Sequence, residues 1–144
     1  MHVQHILKVK GTAVATIAPD ATLADATASL RDHGVGALVV SSDGHTIAGI
    51  ISERDVVRAL AAHGASTLGH DVSSAMSSAV TTCRADDTVD QMMAMMTERR
   101  IRHLPVVDDA GTLAGIISIG DVVKARVGQL ELENDQLHDY IQAR

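Results

Sequence analysis

The apolar positions of this chain alternate between strand-like and helix-like spacing, and one order of spacings occurs twice. In the first half, compact apolar runs predict three strands, at residues 14–17, 37–41 and 46–51. Between the first two runs, helical spacing predicts a helix that begins at Asp20 or Thr22 and stops at Gly34. A second helix is predicted from Ser52. The predicted order is strand, helix, strand, strand, helix.

The second half shows the same order. Its predicted strands lie at residues 80–82, 103–107 and 113–117. The helix that follows the first of them carries a stripe predicted to be buried, made of Val89, Met92, Met93 and Met96. The last helix is predicted from Ser118, and a short helical turn is predicted within residues 71–76.

An internal repeat with an offset of 66 residues underlies this symmetry. From Thr22 to Ala59 the first copy aligns with the second without a gap, and within residues 35–59 thirteen of twenty-five positions are identical. Because a unit of roughly 60 residues has a marginal core, we expect two half-domains that share one core. The predicted organisation is a lead-in at 1–13, repeat 1 at 14–62, a linker at 63–79, repeat 2 at 80–126 and a C-terminal helical tail at 127–144.

The end of the chain has a different periodicity, with core positions spaced alternately four and three residues apart. They are Val123, Val127, Leu130, Asn134, Leu137 and Ile141. A heptad pattern with an Asn at one core position is typical of helices that associate with a defined number of partners. The pattern covers fewer than three heptads, however, and Glu131 and Glu133 place like charges beside it. Two interpretations stay open: self-association, or a terminal helix that packs on its own domain or frays.

Composition narrows the classes of function. The chain has no Trp and no Phe, and Tyr140 is its only aromatic residue, so the core is aliphatic and recognition of RNA or single strands by base stacking is disfavoured. The net charge of −6 also argues against a nucleic-acid binder. The single cysteine, Cys83, excludes an intramolecular disulfide, which fits a reducing compartment. Because the sequence predicts neither a signal peptide nor a membrane span, we expect a cytoplasmic protein.

A candidate site is marked by the motif Gly-Ile-Ile-Ser-x-x-Asp, which occurs at residues 49–55 and 115–121. Ser-x-x-Asp at a helix start is also typical of a capping box, which is the purely structural interpretation. Both copies keep Ser and Asp although the two residues between them differ, and both follow a buried strand, where helix N–H groups favour anions. A carboxylate there can accept two hydrogen bonds from a ribose diol. The motif therefore favours a nucleoside ligand.

The sequence also supplies the other parts of a nucleotide site. Apolar residues for an adenine slot are Val35, Ile51, Ile101 and Ile117. Candidate phosphate-binding groups are Lys10, Arg54, Arg102 and His103. We find no general acid–base pair, activated nucleophile, phosphate loop or zinc-ligand set in the sequence. The sequence therefore predicts a binding protein rather than an enzyme, with no catalytic residue, no metal and no catalytic cofactor.

Five stretches of the chain together resemble a tandem pair of CBS domains, the Bateman module, and especially the small stand-alone bacterial two-CBS proteins. They are residues 6–11 (ILKVKG), 35–40 (VGALVV), 50–55 (IISERD), 100–107 (RIRHLPVV) and 115–123 (GIISIGDVV). The resemblance covers residues 6–126. It implies an α/β (α+β) fold in which two pseudo-symmetric β-α-β-β-α repeats pack through their sheets and enclose two clefts.

The resemblance also implies which residues line each cleft. The first joins residues of repeat 1 to the motif of repeat 2: Thr16, Ala21, Val35, Gly36 and Ala37 with Ile117, Ser118 and Asp121. The second joins residues of repeat 2 to the motif of repeat 1: Thr82, Asp87, Ile101, Arg102, His103 and Pro105 with Ile51, Ser52, Arg54 and Asp55. The first cleft has glycine or alanine at the three positions that hold Arg54, Arg102 and His103 in the second. We therefore expect the cleft that uses Asp55 to bind a nucleotide more tightly.

By the same resemblance, the ligand is an adenine compound, such as AMP, ADP, ATP, NAD(H) or S-adenosylmethionine, and two copies stack into a disc-shaped homodimer. The chain would then be a regulatory module that signals to a separate, unidentified partner protein, without nucleic acid or membrane. The alternative is a homodimeric interaction scaffold with vestigial nucleotide sites. An enzyme that acts on the bound nucleotide is a more distant one.

Overall fold

The structure is a computed structural model that describes residues 1–143, and it places five α-helices and five β-strands along this part of the chain. The helices are α1 (Val3–Lys10), α2 (Leu23–His33), α3 (Glu53–His63), α4 (Val89–Arg99) and α5 (Ile119–Gln142). The strands are β1 (Thr16–Ile17), β2 (Ala37–Val40), β3 (Gly49–Ser52), β4 (His103–Val107) and β5 (Leu113–Ser118). Two short 3₁₀-helices, Ala65–Gly69 and Val72–Ser74, lie between the repeats, the second inside the predicted helical turn.

Each repeat contributes one small sheet. In repeat 1, β2 lies between its parallel neighbour β1 and its antiparallel neighbour β3. All four residues of β2 are buried, which is typical of a strand covered on both faces. In repeat 2, β4 and β5 form an antiparallel pair. This is the predicted α/β (α+β) architecture of two similar repeats followed by a C-terminal helix.

The strand predicted at residues 80–82 is wrong, and Cys83 alone makes a parallel bridge with β4. In repeat 1, Val39 of β2 donates its backbone N–H to Ala15, the residue before β1. Ser41, the residue after β2, donates its N–H to Ile17 of β1. The residue of β4 equivalent to Val39 is Pro105, which has no N–H to donate. Repeat 2 therefore lacks the second bond that would extend this edge strand.

Capping boxes built on Ser or Thr begin four of the helices, α2 to α5. They are built on Thr22, Ser52, Thr88 and Ser118. In each box the Ser or Thr hydroxyl accepts a hydrogen bond from the backbone N–H three residues on. The side chain of that later residue accepts a bond from the backbone N–H of the Ser or Thr. Helix α2 ends as predicted at Gly34, whose φ of 63° suits glycine. At the equivalent end of α4, Arg100 has a φ of 54° without being glycine.

The return strand of repeat 1 begins at Gly49 rather than at the predicted Thr46. The carboxylate of Asp43 accepts backbone hydrogen bonds from Thr46 at 2.7 Å and from His45 at 2.8 Å. These two bonds lower the pKa of Asp43, the one from Thr46 most. They hold residues 43–46 in a turn longer than the sequence predicts, so strand pairing starts later.

Helix α1 was not predicted, and it packs on repeat 2 rather than on repeat 1. Its buried residues are Val3, Ile6 and Leu7. Val3 donates its backbone N–H to Asp87 at 2.9 Å, as Val72 of the linker donates to Ala21 at 2.7 Å. Because Ala21 and Asp87 are equivalent positions, α1 contacts repeat 2 in the same way that the linker contacts repeat 1. This second correspondence joins residue 3 to residue 72, an offset of 69 rather than 66.

The buried apolar side chains form two clusters, not the single shared core that was expected. The cluster of repeat 1 includes Val72 from the linker, and the cluster of repeat 2 includes Val3 from α1. Each half-domain therefore completes its own core with one of these two segments. The predicted stripe on α4 is confirmed as core: Val89, Met92 and Met96 are buried, and Met93 packs against their cluster.

Helix α5 continues well past repeat 2 as one helix of 24 residues. Beyond residue 129 every residue of it is exposed. The tail therefore does not pack on its own domain, which was one of the two interpretations. Arg144, the last residue of the predicted tail, lies outside the described residues. Among residues 1–143, no helix has both the length and the apolar character that a membrane crossing requires.

Candidate functional site

The two Ser-x-x-Asp motifs have the same local geometry, and it is that of a capping box. Asp55 donates its backbone N–H to Ser52 Oγ at 3.3 Å, and Ser52 donates its own N–H to Asp55 Oδ2 at 2.9 Å. The corresponding distances between Ser118 and Asp121 are 3.2 and 2.9 Å. The structural interpretation is thus confirmed for both copies. It occupies one oxygen of each carboxylate, so the remaining contacts decide what each Asp can bind.

Asp121 is held by a lysine from α1. Lys10 Nζ lies 2.7 Å from Asp121 Oδ2 and also donates to the carbonyl of Ile116 at 3.0 Å. Partial burial opposes ionisation of Asp121, but the hydrogen bonds from Lys10 and Ser118 and the charge of Lys10 outweigh it and lower the pKa of this carboxyl. Lys10, which the sequence offered as a phosphate ligand, is therefore committed to a carboxylate.

Asp55 has no such partner. Within residues 1–143 no cation pairs with it, and all its side-chain bonds go through Oδ2 to Ser52, which leaves Oδ1 as a free acceptor. Asp55 also lines a depression of about 370 Å³, within the range of about 300–1,000 Å³ that is typical of small-molecule sites. The lining comes from α3 and the linker and comprises Asp55, Arg58, Ala59, His63, Thr67, His70, Ser74 and Ala75.

His103 lies where the two repeats meet. A Cβ atom at Gly36 would be 3.2 Å from Cε1 of the His103 ring and 3.9 Å from the carboxyl carbon of Glu53. Burial, followed by the charges of Arg102 and Lys10, lowers the pKa of His103, while Glu53 and Asp121 act in the opposite direction. The resemblance grouped His103 with Asp55 and Gly36 with Asp121. The structure places these two residues against each other, so His103 adjoins both predicted clefts.

Two equivalent backbone bonds position the entrance of each predicted cleft. Glu53 donates its N–H to the carbonyl of Gly36 at 3.0 Å, and Ile119 donates to Arg102 at 2.8 Å. Each strand entrance is thereby tied to the start of the helix that follows in its own repeat. The first turn of α3 or α5 cannot shift without moving the strand beside it.

The other predicted site residues differ in accessibility. Arg54 and Arg102 are exposed and make no ion pair within the described chain, so their guanidinium groups are available. The buried or half-buried ones are Thr16, Ala21, Ala37, Ile51, Ile101, Pro105 and Ile117. Val35 and Thr82 are exposed. The carboxylate of Asp87 accepts the backbone N–H of Arg84 at 2.8 Å, which is a turn contact.

Sequence reasoning missed the cationic residues beside Asp55. Arg58, His63 and His70 line the same depression as that carboxylate, and two of them lie outside the 66-residue match. The signal for them was weak, because the linker has no repeat partner at that offset. A second depression, of about 410 Å³, is lined by Asp20 and Asp71 among others, and its negative charge makes it unsuited to phosphate.

Two other candidate chemistries are weak in this structure. Burial, helped by the charge of Asp87, raises the pKa of the Cys83 thiol to about 12, so the thiolate form is rare near neutral pH. Among residues 1–143, no group of three or more His, Cys, Asp or Glu side chains is arranged to hold a metal ion.

Comparison with known proteins agrees with this architecture. The family model of the CBS domain matches the chain twice, at residues 8–62 and 71–128. A CBS-domain-containing protein of Agrobacterium tumefaciens, known as a crystal structure, has a TM-score of 0.84 and 46% identity, over 88% of this chain and 99% of that one. The chain belongs to the CBS-domain family, and the resemblance seen in the sequence is confirmed.

Two further relatives bear on function. The mitochondrial CBS domain-containing protein CBSX3 of Arabidopsis thaliana is 41% identical over 127 residues, which are 85% of this chain and 61% of that protein. The present chain therefore spans about three fifths of that relative. A CBS domain protein of Pyrobaculum aerophilum, solved in complex with AMP, has a TM-score of 0.78 and 26% identity, over 93% of this chain and 99% of that one.

Proposed function

We propose that this protein is a regulatory module that binds an adenine nucleotide, with Asp55 as the residue that holds the ribose. The observation that carries the proposal is the state of this carboxylate. Asp55 keeps one oxygen free, pairs with no cation within the described chain and lines a depression of ligand size. An adenine nucleotide is favoured because the AMP-bound relative from Pyrobaculum has the same fold.

The chemistry of the surrounding residues suits each part of such a ligand. A carboxylate accepts both hydroxyls of a ribose through charge-assisted hydrogen bonds. Arg54 lies one residue before Asp55 in the first turn of α3 and is exposed, so it is available to a phosphate. Arg58 lines the depression itself. AMP, ATP and NAD(H) all carry these groups, and they are the ligands to test.

The cleft that uses Asp121 is proposed to be the weaker one. A ribose diol there must displace Lys10 from Oδ2 or share the carboxylate with it. Gly36, Ala37 and Gly120 also leave it without the cations that the other motif has. A ligand shifts the conformation only as far as it binds two conformational states unequally, so we propose that occupancy of the tighter cleft carries the signal.

The signal is proposed to pass to a separate protein through a homodimer of this chain. Val57 on α3 and Val123 on α5 are equivalent positions, and their side chains are 64% and 44% exposed. Two exposed valines related by the internal symmetry are suited to an isologous contact with a second copy. The cytoplasmic location stays a prediction.

Calorimetric titration of AMP, ATP and NADH into the wild type, Asp55→Asn and Asp121→Asn tests the proposal. Asparagine keeps an oxygen that can accept the capping bond but removes the charge. Losing the charged acceptor should cost about 1.5–3 kcal/mol, so Asp55→Asn should weaken the tighter binding event about 10- to 100-fold. Asp121→Asn should change that event less than about threefold, and so serves as the matched control.

Two outcomes would contradict the proposal: no adenine compound binding below millimolar concentration, or a larger loss from Asp121→Asn than from Asp55→Asn. The first outcome would favour the scaffold alternative. One observation supports that alternative, because helix capping alone accounts for both Ser–Asp pairs. Thermal melting with and without AMP separates the two, because a ligand that binds the folded state raises Tm. Prolonged incubation with ATP or NADH, followed by product analysis, tests the enzyme alternative.

A further inference from the structure

The end of α5 carries an apolar stripe that is uncovered within residues 1–143. The stripe comprises Val123, Val127, Leu130, Leu137 and Ile141, whose side chains are 44–59% exposed, with Asn134 between them. Most of it lies beyond residue 128, where the match to the CBS domain ends. The stripe is therefore an addition to the CBS pair, and the proposed nucleotide site makes no use of it.

The stripe is on a different side of the helix from the contact with the domain. Val122 is buried, and Ala125 and Gln129 are half-buried on that same side. At about 100° per residue, the stripe lies roughly a third of a turn away from this side and extends for about 27 Å from Val123 to Ile141. A second helix can therefore lie along the stripe without displacing α5 from its own domain.

We propose that this stripe is the seam of a parallel, in-register, two-stranded coiled coil with α5 of a second copy of this chain. In heptad notation the a positions are Val127, Asn134 and Ile141, and the d positions are Val123, Leu130 and Leu137. β-branched residues at a combined with Leu at d favour two parallel strands. Asn134 pairs with its counterpart only when the helices are in register, and thus fixes the alignment.

The flanking charges fit the parallel arrangement. The g positions include Arg126 and Glu133, and the e positions that follow them include Glu131 and His138. In a parallel pair each g residue faces the next e residue of the other helix, so Arg126 meets Glu131 and Glu133 meets His138. The two glutamates that look unfavourable within one helix thus gain partners in the pair. Arg126 Nε also lies 3.5 Å from Asp90 of its own α4, and Nη1 donates to Gln129 at 3.2 Å, which leaves the N–H groups of Nη2 for Glu131 of the second copy.

A seam of fewer than three heptads is marginal as an isolated peptide. Here it is attached to folded domains, so any contact between the domains raises the effective concentration of one tail for the other. The coiled coil in turn places the two copies of repeat 2 side by side.

Disulfide trapping tests the arrangement in the full-length protein. Val127→Cys and Ile141→Cys are made separately, with Leu132→Cys as the control, because Leu132 is at least as exposed as either but lies at the outer f position. Mild oxidation followed by non-reducing electrophoresis should give covalent dimers of the first two variants and at most traces of the third. The native Cys83 is buried, so the oxidised wild type should stay monomeric on the gel.

An antiparallel pair would give a different result, because a residues of one helix would then face d residues of the other and neither Val127→Cys nor Ile141→Cys would cross-link with itself. That result, or the absence of any dimer of Ile141→Cys, overturns the proposal.

Sedimentation equilibrium gives a second, independent test. The double variant Leu130→Asp with Leu137→Asp should raise the dissociation constant of the dimer at least tenfold, whereas Leu132→Asp should leave it unchanged. Equal constants for these two variants would also overturn the proposal. Binding of AMP by the double variant should be unaffected, so a failure here is distinguishable from a failure of the nucleotide site.

Discussion

Asp55 and Asp121 are equivalent residues with the same capping geometry, yet their surroundings differ. Lys10 forms an ion pair with Asp121 at 2.7 Å, whereas Asp55 pairs with no cation within residues 1–143 and lies beside a depression that contains Arg58. The capping bonds are a requirement of the helix start, which both repeats share. The second contact of each carboxylate is not such a requirement, and there the repeats have diverged. An internal repeat therefore conserves what holds the fold and varies what can bind.

The source of the difference is the segment before each repeat. The lysine comes from α1, which contacts repeat 2 as the linker contacts repeat 1. At the offset of 69 residues that relates these two segments, the residue equivalent to Lys10 is Ala79. The linker thus has no lysine at this position, and no cation pairs with Asp55 within residues 1–143. The segment that precedes each repeat therefore accounts for the ion pair that Asp121 has and Asp55 lacks.

The equivalent glycines Gly49 and Gly115 should show the largest difference between the two repeats when each is replaced by alanine. The quantity compared is the loss of unfolding free energy. A Cβ at Gly49 would lie 2.6 Å from Sδ of Met76 and 2.8 Å from the backbone carbonyl oxygen of Ser77. That carbonyl accepts the N–H of Ile50, and Ser77 donates its own N–H back to Ile50, so this backbone is held in place. A Cβ at Gly115 would meet only the side chain of Leu7, whose closest atom is also 2.8 Å away but can rotate. We expect Gly49→Ala to lower the unfolding free energy by about 2–3 kcal/mol and Gly115→Ala by about 1 kcal/mol or less.

Urea denaturation followed by circular dichroism measures both values. Gly128→Ala is the control, because a Cβ there has no neighbour within 4 Å and alanine favours the helix by about 1 kcal/mol. Equal losses for Gly49→Ala and Gly115→Ala would show that the linker yields as easily as the Leu7 side chain.

Much of the fold was readable from the sequence because its signals are local and occur twice. The boxes at Ser52 and Ser118 need residues only three positions apart, and the stop at Gly34 needs one residue type. The failure at residues 80–82 was also local in origin. Pro105 removes one donor from β4, and the repeat comparison, which aligned Pro105 with Val39, contained that information.

The contacts of the candidate site were less predictable because they join distant parts of the chain. Lys10 and Asp121 are 111 residues apart, and their ion pair depends on how α1 packs on repeat 2. The sequence identified Lys10 as a candidate phosphate-binding cation but did not predict that it pairs with Asp121. Likewise, the placement of His103 against Gly36 follows from how two sheets meet. No periodicity within one repeat contains that geometry.

The loss of stability caused by Lys10→Met should depend on pH, and this dependence tests the ion pair that Asp121 has and Asp55 lacks. The pair is partly exposed, so its loss should lower the unfolding free energy by about 0.5–1 kcal/mol at pH 7. The pKa of Asp121 is lowered in the folded state. The stabilisation that ionised Asp121 provides is therefore complete above its unfolded-state pKa of about 3.9 and is lost as the pH falls through its folded-state pKa. The difference between wild type and variant should be constant from pH 7 to 5 and shrink below about pH 4.

Lys8→Met is the matched control for this experiment. Lys8 lies on the same helix, is exposed and makes no ion pair within residues 1–143. Its substitution should have little effect at any pH. A loss for Lys10→Met that persists unchanged at pH 3 would assign the effect to packing of the lysine stem rather than to its charge.

The ends of α2 and α4 are the last pair of equivalent positions that differ. Gly34 and Arg100 are equivalent and both left-handed, with φ of 63° and 54°, a conformation that costs a non-glycine residue about 1–2 kcal/mol. No atom lies within 4 Å of a Cβ at Gly34, so Gly34→Ala should lose about 1 kcal/mol through backbone strain alone. Arg100→Gly should gain up to about 1 kcal/mol, because relief of strain exceeds the added entropy of the unfolded chain. Arg99→Gly, one residue earlier and helical, should instead lose about 1 kcal/mol. A loss from Arg100→Gly in urea denaturation would mean that the Arg100 side chain stabilises repeat 2 by more than its backbone strain costs.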